Sequence, residues 1–304
     1  MIRLILLACL IPAFAFAETQ IALNWKAEPQ FGGFYQAYLN KELPFKIIEG
    51  GSGTPTIQML SFGKVDYAVV SAEEILISNA KNPKKPVVAV FAVFQTNPQV
   101  WITKKDRNLK NIGEVLAQPG IVSAQAGLTY AQFLKAKYPD QKAKWVPYTG
   151  GITGLLKEKN YTQQGFLTSE PLLAEKQGVQ VSSFLIADEG FNPYTTVVAV
   201  RKVDLEKKKD EIQKVIQAVK KGWQDYLKNP KAANEHMALI NKSMDSATFE
   251  KSAEAQKSLI ETKEITTDKL GTMTEERWKT LIQTLVDLKV LKKPLEAKDQ
   301  FSNL

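Results

Sequence analysis

Cysteine is all but missing from this chain. Cys9 is the only one in 304 residues, and it lies in an N-terminal segment that reads as a removable export signal. The remainder offers no disulfide, thiol nucleophile or thiolate metal site. Histidine is equally scarce. His236 stands alone, which leaves little from which to build a histidine zinc cluster or a Ser-His-Asp triad with an auxiliary histidine. It falls between Ala233 and Ile240 on the packed face of a helical stretch and reads as structural. Arginine is also rare. The net charge of +8 is carried mainly by lysines spread along the chain, with small clusters at Lys207-Lys208-Lys209 and Lys292-Lys293. A nucleic-acid groove calls for clustered arginine with interleaved aromatics. The excess therefore reads as a solvated basic surface, and no nucleic-acid partner is expected.

Long apolar runs are missing apart from the first. Arg3 supplies a positive start, Leu4 to Phe16 is apolar with Pro12 inside it, and Ala15-Phe16-Ala17 is an A-x-A cleavage pattern. The run is too short to cross a bilayer. Cleavage after Ala17 and release into the periplasm are expected, with Glu18 as the mature N-terminus. Leu6-Leu7-Ala8-Cys9 resembles a lipobox, but the apolar run continues well past Cys9, so lipidation there is the less favoured reading.

What is present is alternation of strand and helix, which means α/β architecture. Strands are expected at Gln20 to Trp25, Phe45 to Ile48, Val65 to Val70 and Val100 to Thr103, then at Ile121 to Ala124, Lys144 to Val146, Gln164 to Thr168, Val181 to Ala187 and Thr195 to Val200. Pro86 to Gln95 is a long β-branched and apolar run with the profile of a central parallel strand. Thr54-Pro55 reads as an N-cap followed by an N1 proline. The tail is helical. Ile212, Val215, Ile216, Val219, Trp223 and Tyr226 keep the 3.6-residue spacing within Asp204 to Leu227, with Asp204 as N-cap, and Thr274 to Leu291 repeats the pattern. No linker separates these parts. The lobe boundaries are therefore expected inside strands near Trp101 and Val197, giving a first lobe over 18–101, a second over 102–196 and a return over 197–304.

In an open α/β sheet, ligands bind beyond the carboxyl ends of the strands, where helices begin. That rule selects Asn24-Trp25, Gly50 to Thr54, Ser71 to Glu74, Gln95, Gln125 to Tyr130, Thr149 to Thr153 and Thr168 to Glu170. Helix N-termini there offer free N–H groups, although each turn is also explained by ordinary capping. Trp25 and Tyr35 are expected near that face, where two aromatic rings can sandwich a flat molecule. Phe34 and Tyr38 look like the core pair of their helix, and Tyr35 lies off that line. Gly50-Gly51-Ser52-Gly53 lacks the Gly-Lys-Ser/Thr ending of a nucleotide loop. Glu73 with Glu74 has the look of an exposed helix start.

These segments together resemble the NMT1/THI5-like family of periplasmic binding proteins. The resemblance rests on Leu23-Asn24-Trp25 with Gly33-Phe34-Tyr35-Gln36-Ala37, on Gly63-Lys64-Val65-Asp66-Tyr67, and on Gln95 with Pro98. It continues through Thr168-Ser169-Glu170-Pro171, Gly190-Phe191-Asn192-Pro193-Tyr194, Gly222-Trp223 and Asn229-Pro230. It implies an α/β, two-lobed type II periplasmic-binding-protein fold with C-terminal helices packed on lobe one. It also implies a non-catalytic carrier that acts as a monomer, needs no cofactor or metal, and has two partners: a small-molecule ligand and the membrane permease of an ABC importer. Trp25 and Tyr35 would stack on a heteroaromatic ring, and Glu170 would accept hydrogen bonds from ring amino groups. Asn24, Ser71, Glu73, Gln95, Gly127, Thr129, Asn192 and Tyr194 complete the expected ligand-binding set. Ser169 stands where relatives commonly carry Asn, which leaves riboflavin and sulfonates as alternatives to the thiamine pyrimidine precursor that the resemblance implies first. The rival class is a pyrimidine synthase of the same fold. It depends on a cysteine-rich motif, a histidine and a pyridoxal cofactor, and the cysteine-free mature chain argues against it.

Overall fold

The computed structural model describes residues 18–304 apart from Ser52. The expected signal over 1–17 and the lipobox at Cys9 lie outside the described residues. Two five-stranded sheets organise the rest. The first contains β1 (Thr19–Leu23), β2 (Phe45–Ile48), β3 (Tyr67–Val70), β4 (Val87–Phe94) and β10 (Thr195–Arg201), in the order β2-β1-β3-β10-β4. The second contains β5 (Gln99–Lys104), β6 (Ile121–Ala124), β7 (Lys144–Pro147), β8 (Tyr161–Phe166) and β9 (Val181–Leu185), in the order β7-β6-β8-β5-β9. The two orders are equivalent. In each sheet three parallel strands are followed by one antiparallel crossing strand, β10 or β5, and then by an edge strand.

Helices α1 (Gly32–Asn40), α2 (Thr56–Ser61) and α3 (Ala72–Lys81) connect strands of the first sheet. Helices α4 (Ile112–Ala117), α5 (Thr129–Lys137), α6 (Thr153–Lys157) and α7 (Glu170–Lys176) belong to the second. The return strand leads into α8 (Lys202–Lys207), α9 (Lys209–Lys228), α10 (Lys231–Ile240), α11 (Ser246–Ala255), α12 (Lys257–Ile260) and α13 (Glu275–Asp287). Strand alternation divides the core of the first sheet. Ile21 and Leu23 face one apolar cluster with α1 and α9, while Ala22 faces another with α3 and α13. Val90 and Phe91 break the alternation and face the same cluster, because the register with β10 slips between Val198 and Ala199. Helices α1 and α9 approach closely at glycines. A Cβ on Gly222 would stand 2.3 Å from the carbonyl oxygen of Gly33, and one on Gly33 would stand 2.1 Å from the Trp223 ring.

Four expectations need correction or relocation. First, β4 is neither central nor parallel. It is an antiparallel edge strand, and it is buried throughout because the tail covers its free side, with bridges from Ala89 to Phe301 and from Ala92 to Gly271. Second, Thr54 does not cap α2. The N-cap is Pro55, and no side chain bonds the first turn. Third, the helix expected over 204–227 is two helices, broken at Lys208 (φ −130°, ψ 33°), and Asp204 pairs with Arg201 instead of capping. Fourth, the chain leaves the first sheet after Phe94 and returns at Thr195. Trp101 and Val197, the expected dividing points, stand inside β5 and β10.

Candidate functional site

The carboxyl ends of the parallel strands place the turns after β1, β2 and β3 on one lobe and those after β6, β7 and β8 on the other. In the first, Asn24 is partly exposed and Trp25 is 37% exposed. The Trp25 indole Nε1–H donates to Glu28 Oε1 at 3.2 Å, and Gln30 Nε2 donates to Glu28 Oε2 at 3.2 Å. Burial, and after it the charge of Glu170, raises the Glu28 carboxyl to about 7 against these two donors and Lys26. Glu28 belongs to the first lobe and Glu170 to the second, and the charge of Glu170 bears on Glu28.

Glu170 opens α7. Its Oε2 accepts from the Phe166 N–H at 2.8 Å, and its Oε1 accepts from the Tyr148 hydroxyl at 3.2 Å. The Tyr148 hydroxyl also lies 3.1 Å from the Gly151 carbonyl, and its single proton serves one acceptor at a time. Burial raises the Glu170 carboxyl above the usual carboxylate range and outweighs these donors. Thr168, two residues earlier, is fully buried and its hydroxyl has no hydrogen-bond partner.

Ser71 forms a capping box with Glu74 at the start of α3: the Ser71 N–H donates to Glu74 Oε2 at 2.8 Å, and the Ser71 hydroxyl accepts from the Glu74 N–H. Glu73 does not match the expected exposed helix start. The residue is partly accessible, but its Oε2 is buried and unpartnered, and desolvation raises the carboxyl to about 7. Gly127 takes a left-handed φ of 83° with open space around it, and Thr129 is the buried first residue of α5.

Tyr35, expected off the core line of its helix, lies in the core. It is 2% exposed, packs on His236 with ring centroids 5.8 Å apart, and its buried hydroxyl has no hydrogen-bond partner; burial, and after it the charge of Glu49, raises that hydroxyl above the usual tyrosine range. Tyr38, expected in the core, is 41% exposed. The reason is that α1 packs against both α9 and α10, which turns the core stripe toward Tyr35. His236 meets Tyr35 and Tyr38 in aromatic contacts, consistent with its structural reading.

Gln95, Asn192 and Tyr194 are held at the crossings. Gln95 Nε2 donates to the Ala92 and Thr272 carbonyls. Asn192 Oδ1 accepts from the Asn97 N–H at 2.8 Å, joining one crossing to the other. Arg277, in the first turn of α13, grips both. It donates to the Gln95 carbonyl at 2.6 Å, to the Asn192 carbonyl at 2.7 Å, to Asn192 Oδ1 at 2.9 Å and to the Pro193 carbonyl at 3.2 Å. Its guanidinium lies 4.0 Å from the centre of the Tyr194 ring. The Tyr194 hydroxyl accepts from the Thr274 N–H at 3.0 Å. In the same return crossing Thr196 has φ 56°, a strained setting for a β-branched residue.

The lobes also touch beside the cleft. Lys176 pairs with Asp245, and Lys251 with Glu175 at 3.4 Å, linking α7 to α11. Both pairs are solvent-exposed, so they bias closure weakly and are screened by salt. We expect Lys176→Ala with Lys251→Ala to widen the ligand-free distance distribution in small-angle scattering while the melting temperature stays nearly unchanged. An unaltered profile would remove these pairs from closure.

Sequence reasoning missed Glu28, Tyr148, Thr168 as an unpartnered hydroxyl, and Arg277. Glu28 lies three residues beyond Trp25 in the same turn. A basic Arg277 in the first turn of a helix opposes the helix dipole, and that local conflict was its only signal. Among the described residues no group of three or more His, Cys, Asp or Glu could hold a metal, and no helix is long and apolar enough to cross a membrane.

Comparison with solved structures matches this architecture along its length. The periplasmic aliphatic sulphonate binding protein SsuA from Escherichia coli is 12% identical, with a TM-score of 0.71 over 95% of this chain and 94% of that one. The alkanesulfonate-binding protein SsuA from Xanthomonas axonopodis pv. citri, bound to MOPS, is 10% identical, with a TM-score of 0.66 over 94% and 98%. A conserved Candida albicans gene product with the generic periplasmic binding protein fold is 14% identical, with a TM-score of 0.60 over 95% and 97%. No curated protein matches in sequence. The fold is therefore that of periplasmic binding proteins. The sequence matches the NMT1/THI5 like family over residues 30–233, more than half of its length, and the chain belongs to that family.

Proposed function

We propose that this chain is the solute-binding component of an ABC importer, working in the periplasm without catalysing a reaction. It closes on a small planar heteroaromatic that bears exocyclic amines, a thiamine pyrimidine precursor first and riboflavin second, and hands it to a membrane permease. The observations that carry this reading are the exposed Trp25 indole, tethered by Glu28 on one lobe, and the Glu170 acceptor group at the start of α7 on the other. A flat ring can lie on the indole while a ring amine donates to Glu170. Asn24, Ser71, Glu73, Gly127 and Thr129 are proposed to line the same cleft. Gln95, Asn192 and Tyr194 are proposed to act through the crossings, because their polar atoms are engaged there. Hinge closure over two crossing strands supplies capture and release.

A sulfonate ligand is the second reading. Two structural neighbours are sulfonate-binding proteins, and the net charge of +8 favours encounter with an anion. The local acceptors weigh more, because steering changes encounter rate more than selectivity. Calorimetric titration with an aminopyrimidine, riboflavin and taurine separates the readings. Trp25→Ala is expected to cost about 1–3 kcal/mol in binding the aromatic ligand, as for bases stacked on protein aromatics. Tight taurine binding that is indifferent to Trp25→Ala would overturn the heteroaromatic reading.

A further inference from the structure

We propose that Gly165 and Tyr148 are positioning residues for ligand specificity: they fix the Glu170 carboxylate in one orientation, in which it accepts from an exocyclic ring amine and rejects a methyl group of the same shape. This rests on the reading of Glu170 as the acceptor for a ligand amine, and it adds the two residues on which that acceptor's discrimination depends.

Strand β8 builds the seat for the carboxylate. Glycine inside a strand weakens it, and often marks a place where another group approaches closely. Gly165 is such a place. A Cβ there would stand 3.0 Å from both Cβ and Oε2 of Glu170, and 3.3 Å from its Cδ. The backbone at Gly165 is not free to give way, because it pairs with Val100 of the crossing strand β5. The Glu170 side chain therefore lies against β8 because position 165 carries no side chain. The next residue adds a bond: the Phe166 N–H donates to Glu170 Oε2 at 2.8 Å.

Gln163, two residues before Gly165, shares its face of β8. It is fully buried, and its Nε2 donates to the Gly151 carbonyl at 2.8 Å, which ties the turn after β7 to β8. That turn carries Tyr148. The Tyr148 hydroxyl stands 3.1 Å from the same Gly151 carbonyl and 3.2 Å from Glu170 Oε1. With Gln163 already supplying Gly151, the phenol proton is left for Glu170. Each carboxylate oxygen is thus held by one donor, Oε2 by the strand and Oε1 by the turn.

A carboxylate has about four lone-pair directions, so acceptor capacity remains on both oxygens, and its directions are fixed because the oxygens are. Such preorganisation decides selectivity. A fixed acceptor gains a hydrogen bond from an amine, whereas a methyl group in the same place strips its water and returns nothing. A carboxylate free to rotate can turn from the methyl group toward water, and the discrimination falls. A Cβ at position 165 would push the carboxylate out of its seat, and loss of the phenol would release Oε1.

The test uses two flat probes of one shape, 4-amino-2-methylpyrimidine and 2,4-dimethylpyrimidine, which differ only in an amine against a methyl group. Calorimetry of the full mature chain at pH 8 is expected to show the amine bound about tenfold tighter or more by the wild type. Gly165→Ala and Tyr148→Phe are each expected to cut that preference to about threefold or less, chiefly by weakening the amine. The ratio between the probes is informative because damage to the fold or to the stacking surface would weaken both alike. Cooperative melting near the wild-type temperature establishes that each variant folds. Tyr148→Phe, which removes a single oxygen, decides the matter if alanine at position 165 disturbs the strand. A wild-type preference retained in the folded variants overturns this proposal alone. Equal binding of the two probes by the wild type, or binding of neither, overturns the reading of Glu170 as an amine acceptor and this proposal with it.

Discussion

Arg277→Ala is expected to lower the stability of the ligand-free protein by about 2–4 kcal/mol, from the loss of several charge-assisted hydrogen bonds and the stranding of buried acceptors. The side chain serves four acceptors on two chain segments that are 95 or more residues apart: the Gln95 carbonyl before β5, and Asn192 and Pro193 before β10. Those segments are the only two crossings between the sheets among the described residues. The planar fork of a guanidinium reaches all four and also lies against Tyr194. An ammonium is a point donor, so Arg277→Lys should recover only part of the loss. Urea unfolding measures the stability, and solution scattering measures whether the lobes move further apart without ligand. A loss below about 1 kcal/mol in the alanine variant would mean that α13 and the crossings are held by their apolar packing alone.

The placement of Arg277 explains why the hinge was hard to see in the sequence. Strands and amphipathic helices are local: a period of two or 3.6 is visible in one window. The strand positions and the ligand-side turns came from alternation plus the rule that ligands bind at strand ends, whereas the strand orders of the two sheets are seen only in the fold. The contacts that join the crossings are not local. Gln95, Asn192 and Arg277 are far apart in the chain, and each is ordinary in its own window. The family resemblance pointed to Gln95, Asn192 and Tyr194, but as ligand contacts, whereas their polar atoms bond the crossings and α13.

The errors about β4 and Tyr35 have one cause. Burial read from sequence does not say which neighbour does the burying. Val87–Phe94 is apolar throughout because the tail covers an edge strand, not because strands flank both sides. Tyr35 is buried because α10 lies across α1 beside α9, with His236 between two tyrosines. A helix with neighbours on two sides has a wider buried arc than one amphipathic stripe suggests. Glu28 was passed over for the opposite reason: a single acidic residue before a proline in a turn looks like solvent-facing punctuation, and its partly buried setting with donors from Trp25 and Gln30 is visible only in the fold.

The second large effect concerns that group. The stability of the ligand-free protein is expected to fall as pH rises from 4.5 to about 7, and Glu28→Gln is expected to remove much of the fall. The sign follows from proton binding. Glu28 titrates at about 7 in the folded protein against an ordinary value of 4.5, so between those values the folded state holds a proton that the unfolded chain has released. Folding is therefore favoured at the acid end of the window, and this contribution is lost as pH passes through it. A carboxyl displaced that far carries on the order of 3 kcal/mol, an upper figure because opening of the cleft would hydrate the charge. Glu73, at about 7 from desolvation, adds a contribution of the same sign, so the variant keeps a residual slope. Glutamine imitates the protonated acid: its carbonyl still accepts from Trp25, and Gln30 can turn its amide to accept from the new NH2 group. The variant should thus match wild type near pH 4 and exceed it at pH 8 by up to about 3 kcal/mol. Urea unfolding of both proteins from pH 4 to 9 measures this. Parallel curves for the two would mean that Glu28 is charged and well hydrated in the ligand-free protein.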